Sequence, residues 1–553
     1  MNRPPCRSFR WYRLPTARRR RAINFQPGST ASRTGASLRT FPTTKTVLIA
    51  TATAIAWVSL WGGDAQAIPA FARKYDMDCS HCHSMVPKLN AVGYYFHENL
   101  TFQGIGSLLP EGLQEKVRSE DPEDQHPAYW PVSIRVAGGY QLVKRDKQLV
   151  SGPALQTIST RGFGLTTFQL MAGGLLAPDV SYYLTYYPAV DNVGFPGQTP
   201  LHVHPGATTG TGQNGAIGFA WVGFAHVGGG RGDHNDDPAD HQSDSPPPHD
   251  ENVDHDHDAN AESAAPEASP PAPAHAEEHG AHGFNFRLGS HELEMTLSGH
   301  HRLSNAPYLA YRYIPEGHTT SFSLDAPQLG AAMEAHVPFL ENVEYAASLF
   351  NGPNSATDTN RALDVFVHLA KKGKDHRLGL FALRGTSPVN TVTTPATAPI
   401  PGTGTGSQPF LRYGADADLN FGPLNLLLFY MQGQDDAKLF GKSAGVNPVQ
   451  TATFYAGFVE ADYLFESVRW MIAGRYDLIR NTAQGIRTLP AQSNDADAFT
   501  LTLKHDLVLT SRANLQLHVE ANSTRTRATL VPTTTTRTDQ TSNILYVGVD
   551  LAF

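Results

Sequence analysis

Asn543-Ile544-Leu545-Tyr546-Val547-Gly548-Val549-Asp550-Leu551-Ala552-Phe553 is the stretch whose reading decides the fold. Leu545, Val547, Val549, Leu551 and Phe553 fall on one face, and a period of two predicts a strand with one apolar side. The pattern recurs upstream. In 512–522, Ala513, Leu515, Leu517, Val519 and Ala521 alternate with Arg512, Asn514, Gln516, His518, Glu520 and Asn522. In 467–478, Val468, Trp470, Ile472, Tyr476 and Leu478 oppose Arg469, Arg475 and Asp477. In 411–420, Leu411, Tyr413 and Leu419 oppose Arg412, Asp416, Asp418 and Asn420. Two architectures satisfy such alternation. A soluble sandwich turns the apolar face into its core; a membrane barrel turns it outward and keeps the charged face on a wet lumen.

The terminal strand favours the barrel. Ending on a strand with a final phenylalanine is the form in which an outer-membrane barrel closes its ring, whereas soluble chains more often end in a loose tail. From Tyr129 onward the sequence divides into strands of about ten residues, the length that crosses an outer membrane when tilted. They fall at 130–142, 162–175, 179–189, 216–227, 284–291, 327–337, 342–350, 361–369, 376–384, 410–420, 423–432, 452–465, 467–478, 497–507, 512–522 and 543–553. The number is sixteen, even as a single-chain bacterial barrel prefers, and short connections alternate with long ones. The expected class is mainly β: an antiparallel transmembrane β-barrel of about 16 strands over residues 126–553. Short turns belong to the periplasmic side, which places the C-terminus there too.

Residues 1–67 read as a leader. Eleven Lys or Arg and no acid occur up to Lys45, Thr46 to Leu60 is apolar, and Ala65-Gln66-Ala67 is a cleavage site. The apolar run is short for a spanning helix, which needs about 20 such residues. Cys6 lies in this part, so the exported chain keeps only Cys79 and Cys82.

Those two belong to Cys79-Ser80-His81-Cys82-His83, the Cys-x-x-Cys-His signature of covalent haem c. Two thiols three residues apart reach two vinyl groups on one porphyrin edge, and the next histidine coordinates iron from one side. The alternatives are a dithiol or disulfide, and a zinc site, for which no second cysteine pair exists. Residues 68–125 form the expected monohaem c-type cytochrome segment, small and partly α-helical, with a helix over Met85 to Leu100. Its face of Val86, Leu89, Val92, Tyr95 and Phe96 is read as packing. About 55 residues is small even for a monohaem domain, so burial against something else is expected. Met85 and His97 are the candidates for the sixth iron ligand.

One connection breaks the alternation. Gly228 to Gly283 follows the fourth strand, where a short turn belongs, and eight histidines and fourteen acids stand between Arg231 and Gly283. Such a composition buries no core. His255 and His257 in Asp254-His255-Asp256-His257-Asp258 are candidate transition-metal ligands, the alternative being a solvated acidic tether.

Ile68-Pro69-Ala70-Phe71-Ala72-Arg73 before the haem motif, with Pro87-Lys88-Leu89-Asn90-Ala91-Val92-Gly93 after it, resembles the fused monohaem cytochrome–porins of the bacterial outer membrane, a family that iron-oxidising bacteria use to take electrons from ferrous iron. Phe286-Arg287-Leu288-Gly289 with His291-Glu292-Leu293 also looks like a family strand. Two departures stand out: Tyr94, where a basic residue is usual, and the 228–283 insert. The resemblance implies one covalent haem c held by Cys79, Cys82 and His83, in or under the barrel. It implies electron transfer from an extracellular one-electron donor to periplasmic carriers such as soluble c-type cytochromes. The alternatives are a diffusion porin with a haem-bearing plug or sensor, and a soluble periplasmic cytochrome with a β domain. Nothing resembles a hydrolytic or dinucleotide site, and no nucleic-acid partner is expected.

Overall fold

The computed structural model describes residues 77–99, 132–149, 155–177, 179–187, 216–227, 283–295, 302–315, 323–337, 340, 342–352, 362–373, 376–388, 407–439, 451–485, 492–510, 513–530 and 537–553. Residues 1–67, expected as a leader, most of residues 68–131, and residues 228–282 with His255 and His257 lie outside the described residues.

A 3-10 turn at Cys79–His81 precedes a small antiparallel hairpin of β1 (His83–Met85) and β2 (Lys88–Leu89), then helix α1 (Ala91–Asn99). The helix expected from Met85 therefore begins six residues later. Pro87 explains the difference: it lacks an N–H to donate and disfavours the helical region for Val86, so the chain turns before it coils.

Sixteen strands follow: β3 (Val132–Leu149), β4 (Leu155–Ala177), β5 (Val180–Tyr187), β6 (Ala216–Val227), β7 (Phe284–His291), β8 (Gln328–His336), β9 (Val343–Asn351), β10 (Leu363–Lys372), β11 (His376–Pro388), β12 (Ser407–Phe421), β13 (Leu424–Asp435), β14 (Ala452–Phe465), β15 (Trp470–Ala483), β16 (Ala496–Leu509), β17 (Asn514–Leu530) and β18 (Arg537–Ala552). Each pairs antiparallel with its neighbours in sequence, and β18 pairs with β3 to close the ring. At the seam Ile134 and Phe553 exchange two backbone hydrogen bonds of 2.8 and 2.9 Å. All sixteen expected strands are present, although several run well past ten residues, as in β4 and β17. The strand expected from residue 467 starts at Trp470, after a 3-10 turn over Glu466–Val468.

Which face points where settles the choice between sandwich and barrel. On β10, Leu363, Val365, Val367 and Leu369 are 40–56% exposed, while Asp364, Phe366, His368 and Ala370 are at most 3% exposed. Leu545, Val547 and Val549 of β18 are likewise exposed. In water such a surface is unfavourable; against lipid it is the ordinary outer face of a spanning barrel. Aromatic pairs on that face, Trp470–His505 and Tyr463–Phe465, sit at the strand ends joined by short turns, as an interfacial girdle does. The soluble cytochrome with a β-sandwich is thereby corrected: the sheet is a closed ring with its apolar side outward.

Connections alternate as expected, with 422–423 and 466–469 at one mouth and 389–406 and 436–451 at the other. The links 150–154 and 531–536 are the short exceptions at the second mouth. Part of the connection between β7 and β8 turns inward. Its helix α2 (Leu309–Arg312) and the preceding Tyr308 pack the Tyr308 and Tyr311 rings against Phe429 and Phe458 of the inner wall, with ring centroids 4.7–5.6 Å apart.

Candidate functional site

The Cys79–His83 turn is built by local bonds. His81 and Cys82 donate backbone hydrogen bonds to Asp78 and Cys79, which curls the chain and sets both thiols on one short arc. Asn90 then ties α1 back onto the turn. Its side-chain amide donates to the carbonyls of Ser80 (3.1 Å) and His81 (3.0 Å), and its backbone N–H donates to Cys82 O at 3.0 Å. Its side-chain oxygen accepts from Gly93 N, the capping arrangement that starts a helix. Gly93 lies so near the turn that a Cβ there would stand 2.1 Å from Cys82 O.

Cys79 and Cys82 are free thiols, not a disulfide. Burial pushes both up to about 12, aided at Cys79 by the neighbouring Cys82 and Asp78. Burial pulls His83 down to about 4, so its imidazole is neutral at neutral pH. One ring nitrogen, Nδ1, lies 3.2 Å from Pro87 O. A ring N–H given to a backbone carbonyl fixes the tautomer and leaves Nε2 as the electron-pair donor, the usual state of a metal-ligating histidine. These residues fit covalent haem: two reduced thiols for the thioethers and an oriented imidazole for the iron. For a zinc ion the fit is poorer, since among the described residues no three His, Cys, Asp or Glu side chains converge to hold one.

Residues 79–97 are held by inward-facing side chains of the ring and by one backbone carbonyl of a turn. Cys79 Sγ donates to Thr510 O at 3.4 Å. Lys504 Nζ donates to Val86 O at 3.2 Å, and Gln516 Nε2 to Met85 Sδ at 3.1 Å. Lys88, buried, donates to Asn425 and to the carboxylate of Asp462. Near the other end of α1, Arg287 of β7 donates to His97 O at 2.6 Å, while Glu294 lies 3.6 Å from His97 Nε2. Arg287 also pairs with Glu294 and Glu334. The strands β13, β14, β16 and β17 on one side and β7 on the other are six or seven places apart in a ring of sixteen. Thr510, Gln516, Asn425 and Asp462 all lie at or near the short-turn mouth.

A second group fastens the inward connection deeper in the lumen. Arg475 bonds Asp477 (2.7 Å) and the carbonyls of Ala306 and Pro307 (3.0 Å each), and its guanidinium stands 3.6 Å over the Tyr308 ring. Tyr308 donates to Glu460 at 2.6 Å; Glu520 accepts from the N–H groups of Asn305 and Ala306. At Asp325, burial works to raise the carboxyl, but Arg302 at 2.6 Å and Arg312 at 2.9 Å outweigh it and hold the group below the usual carboxylate range.

Of the residues singled out in the sequence, Cys79, Cys82, His83 and Met85 share one compact turn and hairpin. His97 stands apart from them, engaged by Glu294. The wall residues Asp462, Asn425, Gln516, Lys504, Arg287 and Glu294 were not anticipated as partners. Polar or charged residues at alternating strand positions are the signal that marks most of them, and it does not say what they hold; Glu294 lies beyond the end of β7.

No family model and no curated protein matches the chain. Among solved structures it is similar to an anion-selective porin from Comamonas acidovorans, with 11% identity, 76% of this chain and 99% of that one covered, and a TM-score of 0.43. It is also similar to the outer membrane channel DcaP of Acinetobacter baumannii (9%, 75% and 96%, TM-score 0.38) and to OmpT of Vibrio cholerae (9%, 77% and 98%, TM-score 0.37). These likenesses concern the fold alone.

Proposed function

We propose that this outer-membrane barrel carries one covalent haem c on Cys79, Cys82 and His83 at its short-turn, periplasmic mouth. The segment relays single electrons inward from an extracellular one-electron donor, ferrous iron being one, to periplasmic carriers such as soluble c-type cytochromes. The observation that carries this reading is the reduced Cys79–His83 turn with His83 Nδ1 against Pro87 O, seated among inward-facing wall residues. Bound haem would supply a one-electron couple. The chain's part is to hold it by two thioethers, present a neutral imidazole, and keep it near both the lumen and the periplasm.

A diffusion channel with the same segment as plug is the second reading. The closed ring with a polar inner wall favours it, since solute flux needs nothing more. Anaerobic mixing of ferrous iron with purified oxidised protein separates the two. The relay requires the haem bands to reduce; the porin predicts unreduced haem and a large passive conductance in planar bilayers. Haem that extracts into acidified organic solvent would contradict covalent attachment. For the insert, we propose loose binding of divalent metal through His255 and His257 with neighbouring carboxylates. Calorimetric metal uptake unchanged by deletion of 231–283 would end that idea.

A further inference from the structure

The β1–β2 hairpin carries a pair of side chains that haem attachment alone does not require. Met85 and Lys88 are partners in its ladder, and both are buried. Met85 packs with Leu303, Met471 and Ala473 and accepts the Gln516 amide at 3.1 Å. Lys88 enters a cradle of Asp462 and Asn425, and Asn425 donates onward to Asp418 and Asn420. An apolar slot and an acid–amide cradle thus stand on neighbouring wall strands, matched by a thioether and an ammonium on one hairpin.

We propose that Met85 and Lys88 form a two-pronged key that seats the Cys79–Asn99 segment in the barrel wall, and that Met85 serves the wall and not the iron. The first half stands on these contacts alone; the second rests on the haem reading above. A buried ammonium needs its carboxylate, because a desolvated charge without a partner is strongly disfavoured. The wall therefore selects a cation at position 88. The Met85 sulfur already accepts the Gln516 amide, and the side chain is buried in a cluster with Leu303, Met471 and Ala473. To bind iron it would have to give up all of them. His97, held by Glu294 and through its backbone by Arg287, is the more distant alternative, and Met85 is a positioning residue in this account.

The test uses full-length protein with its haem, in detergent, and compares Met85→Leu, Gln516→Leu, Lys88→Gln, Asp462→Asn and the exchange of Lys88→Asp with Asp462→Lys. Three quantities are read: protease cleavage within residues 77–99, single-channel conductance, and the absorption and electron-spin spectra that report axial ligation. Opening of the segment controls cleavage, so each single change should speed it by about tenfold or more, and the exchange should restore most of the protection. The spectra of Met85→Leu and Gln516→Leu should match the parent. A changed axial signature in Met85→Leu would overturn the assignment of Met85. Unchanged cleavage in Lys88→Gln and Asp462→Asn, both with an intact heat-modifiable barrel, would overturn the key. Should Met85→Leu fail to assemble, Gln516→Leu releases the same sulfur without altering the segment, and its spectrum decides. Absence of haem from the parent protein would defeat the haem reading instead, while cleavage and conductance still decide the seating.

Discussion

Replacing Gly93 by alanine tests the joint between α1 and the Cys79–His83 turn. The new methyl carbon would lie 2.1 Å from Cys82 O and 2.8 Å from Leu89 Cδ2. The oxygen is backbone and cannot swing away, so α1 must retreat by about 1.3 Å to reach an ordinary contact of 3.4 Å. A shift of that size takes three bonds out of range: Asn90 N–H to Cys82 O, and the Asn90 amide to Ser80 O and His81 O. At about 1 kcal/mol each the loss is about 3 kcal/mol. Alanine returns at most about 1 kcal/mol through its better helix propensity. The net cost is about 2 kcal/mol, or about thirtyfold in the ratio of docked to undocked helix. Covalent haem per assembled barrel and the rate of protease cleavage after residue 90 measure it. Gly474→Ala is the control, since a Cβ there meets nothing within 4 Å. Full haem content and parental protease resistance in Gly93→Ala would refute the reasoning.

Arg475→Ala should free the inward connection without unzipping the ring. It strands the Asp477 carboxylate and unties the Ala306 and Pro307 carbonyls, at about 3–5 kcal/mol, so conductance should rise while the barrel stays resistant to detergent unfolding. Unchanged conductance would count against that anchor. Acid should loosen the same connection through Asp325. Its folded-state pKa lies below the unfolded value of 3.8, so its contribution is whole above about pH 4 and is lost as pH falls from there through the folded pKa. Protease cleavage near residues 312–325 that is flat above pH 5 and rises below pH 4 is the expected profile, and Asp325→Asn should flatten it. Thiols of protein refolded without haem should resist alkylation. With Cys79 and Cys82 at about 12 against an ordinary 9.0, the thiolate fraction at pH 8 falls about a thousandfold, and the rate should climb tenfold per pH unit toward pH 11. Rapid labelling at pH 8 would mean the turn is open.

The sixteen strands were legible because lipid imposes one rule on every strand: an apolar residue at each outward position. Leu363, Val365, Val367 and Leu369 obey it as clearly as Leu545, Val547 and Val549. Strand ends were less legible. The far end of β17, Ser523-Thr524-Arg525-Thr526-Arg527, is polar on both faces, so the pattern stops before the hydrogen bonding does. The late start of α1 is written in the sequence as Pro87, against which the apolar spacing of Val86, Leu89 and Val92 suits a helix that starts earlier. For the candidate site, Cys-x-x-Cys-His carries its spacing in five residues and is visible alone. Lys88 and Asp462 lie 374 positions apart, and each by itself reads as a charge on a polar face. Only closure of the ring brings them together. The same holds for Arg287 and His97, 190 positions apart.

The contacts of residues 79–97 with β7 on one side and β13–β17 on the other have a mechanical consequence. An empty hoop of strands deforms most easily by becoming oval, because bending its wall strains few hydrogen bonds. A tie fixed at two nearly opposite points resists that distortion along its own direction and leaves the perpendicular one soft. The barrel's slow breathing should therefore be lopsided: β10–β12 and β18–β4, which flank the tie, should move more than β7 and β14. The tie also divides the short-turn mouth into two windows, each bounded by five strands, so anything that passes this end must do so off the axis.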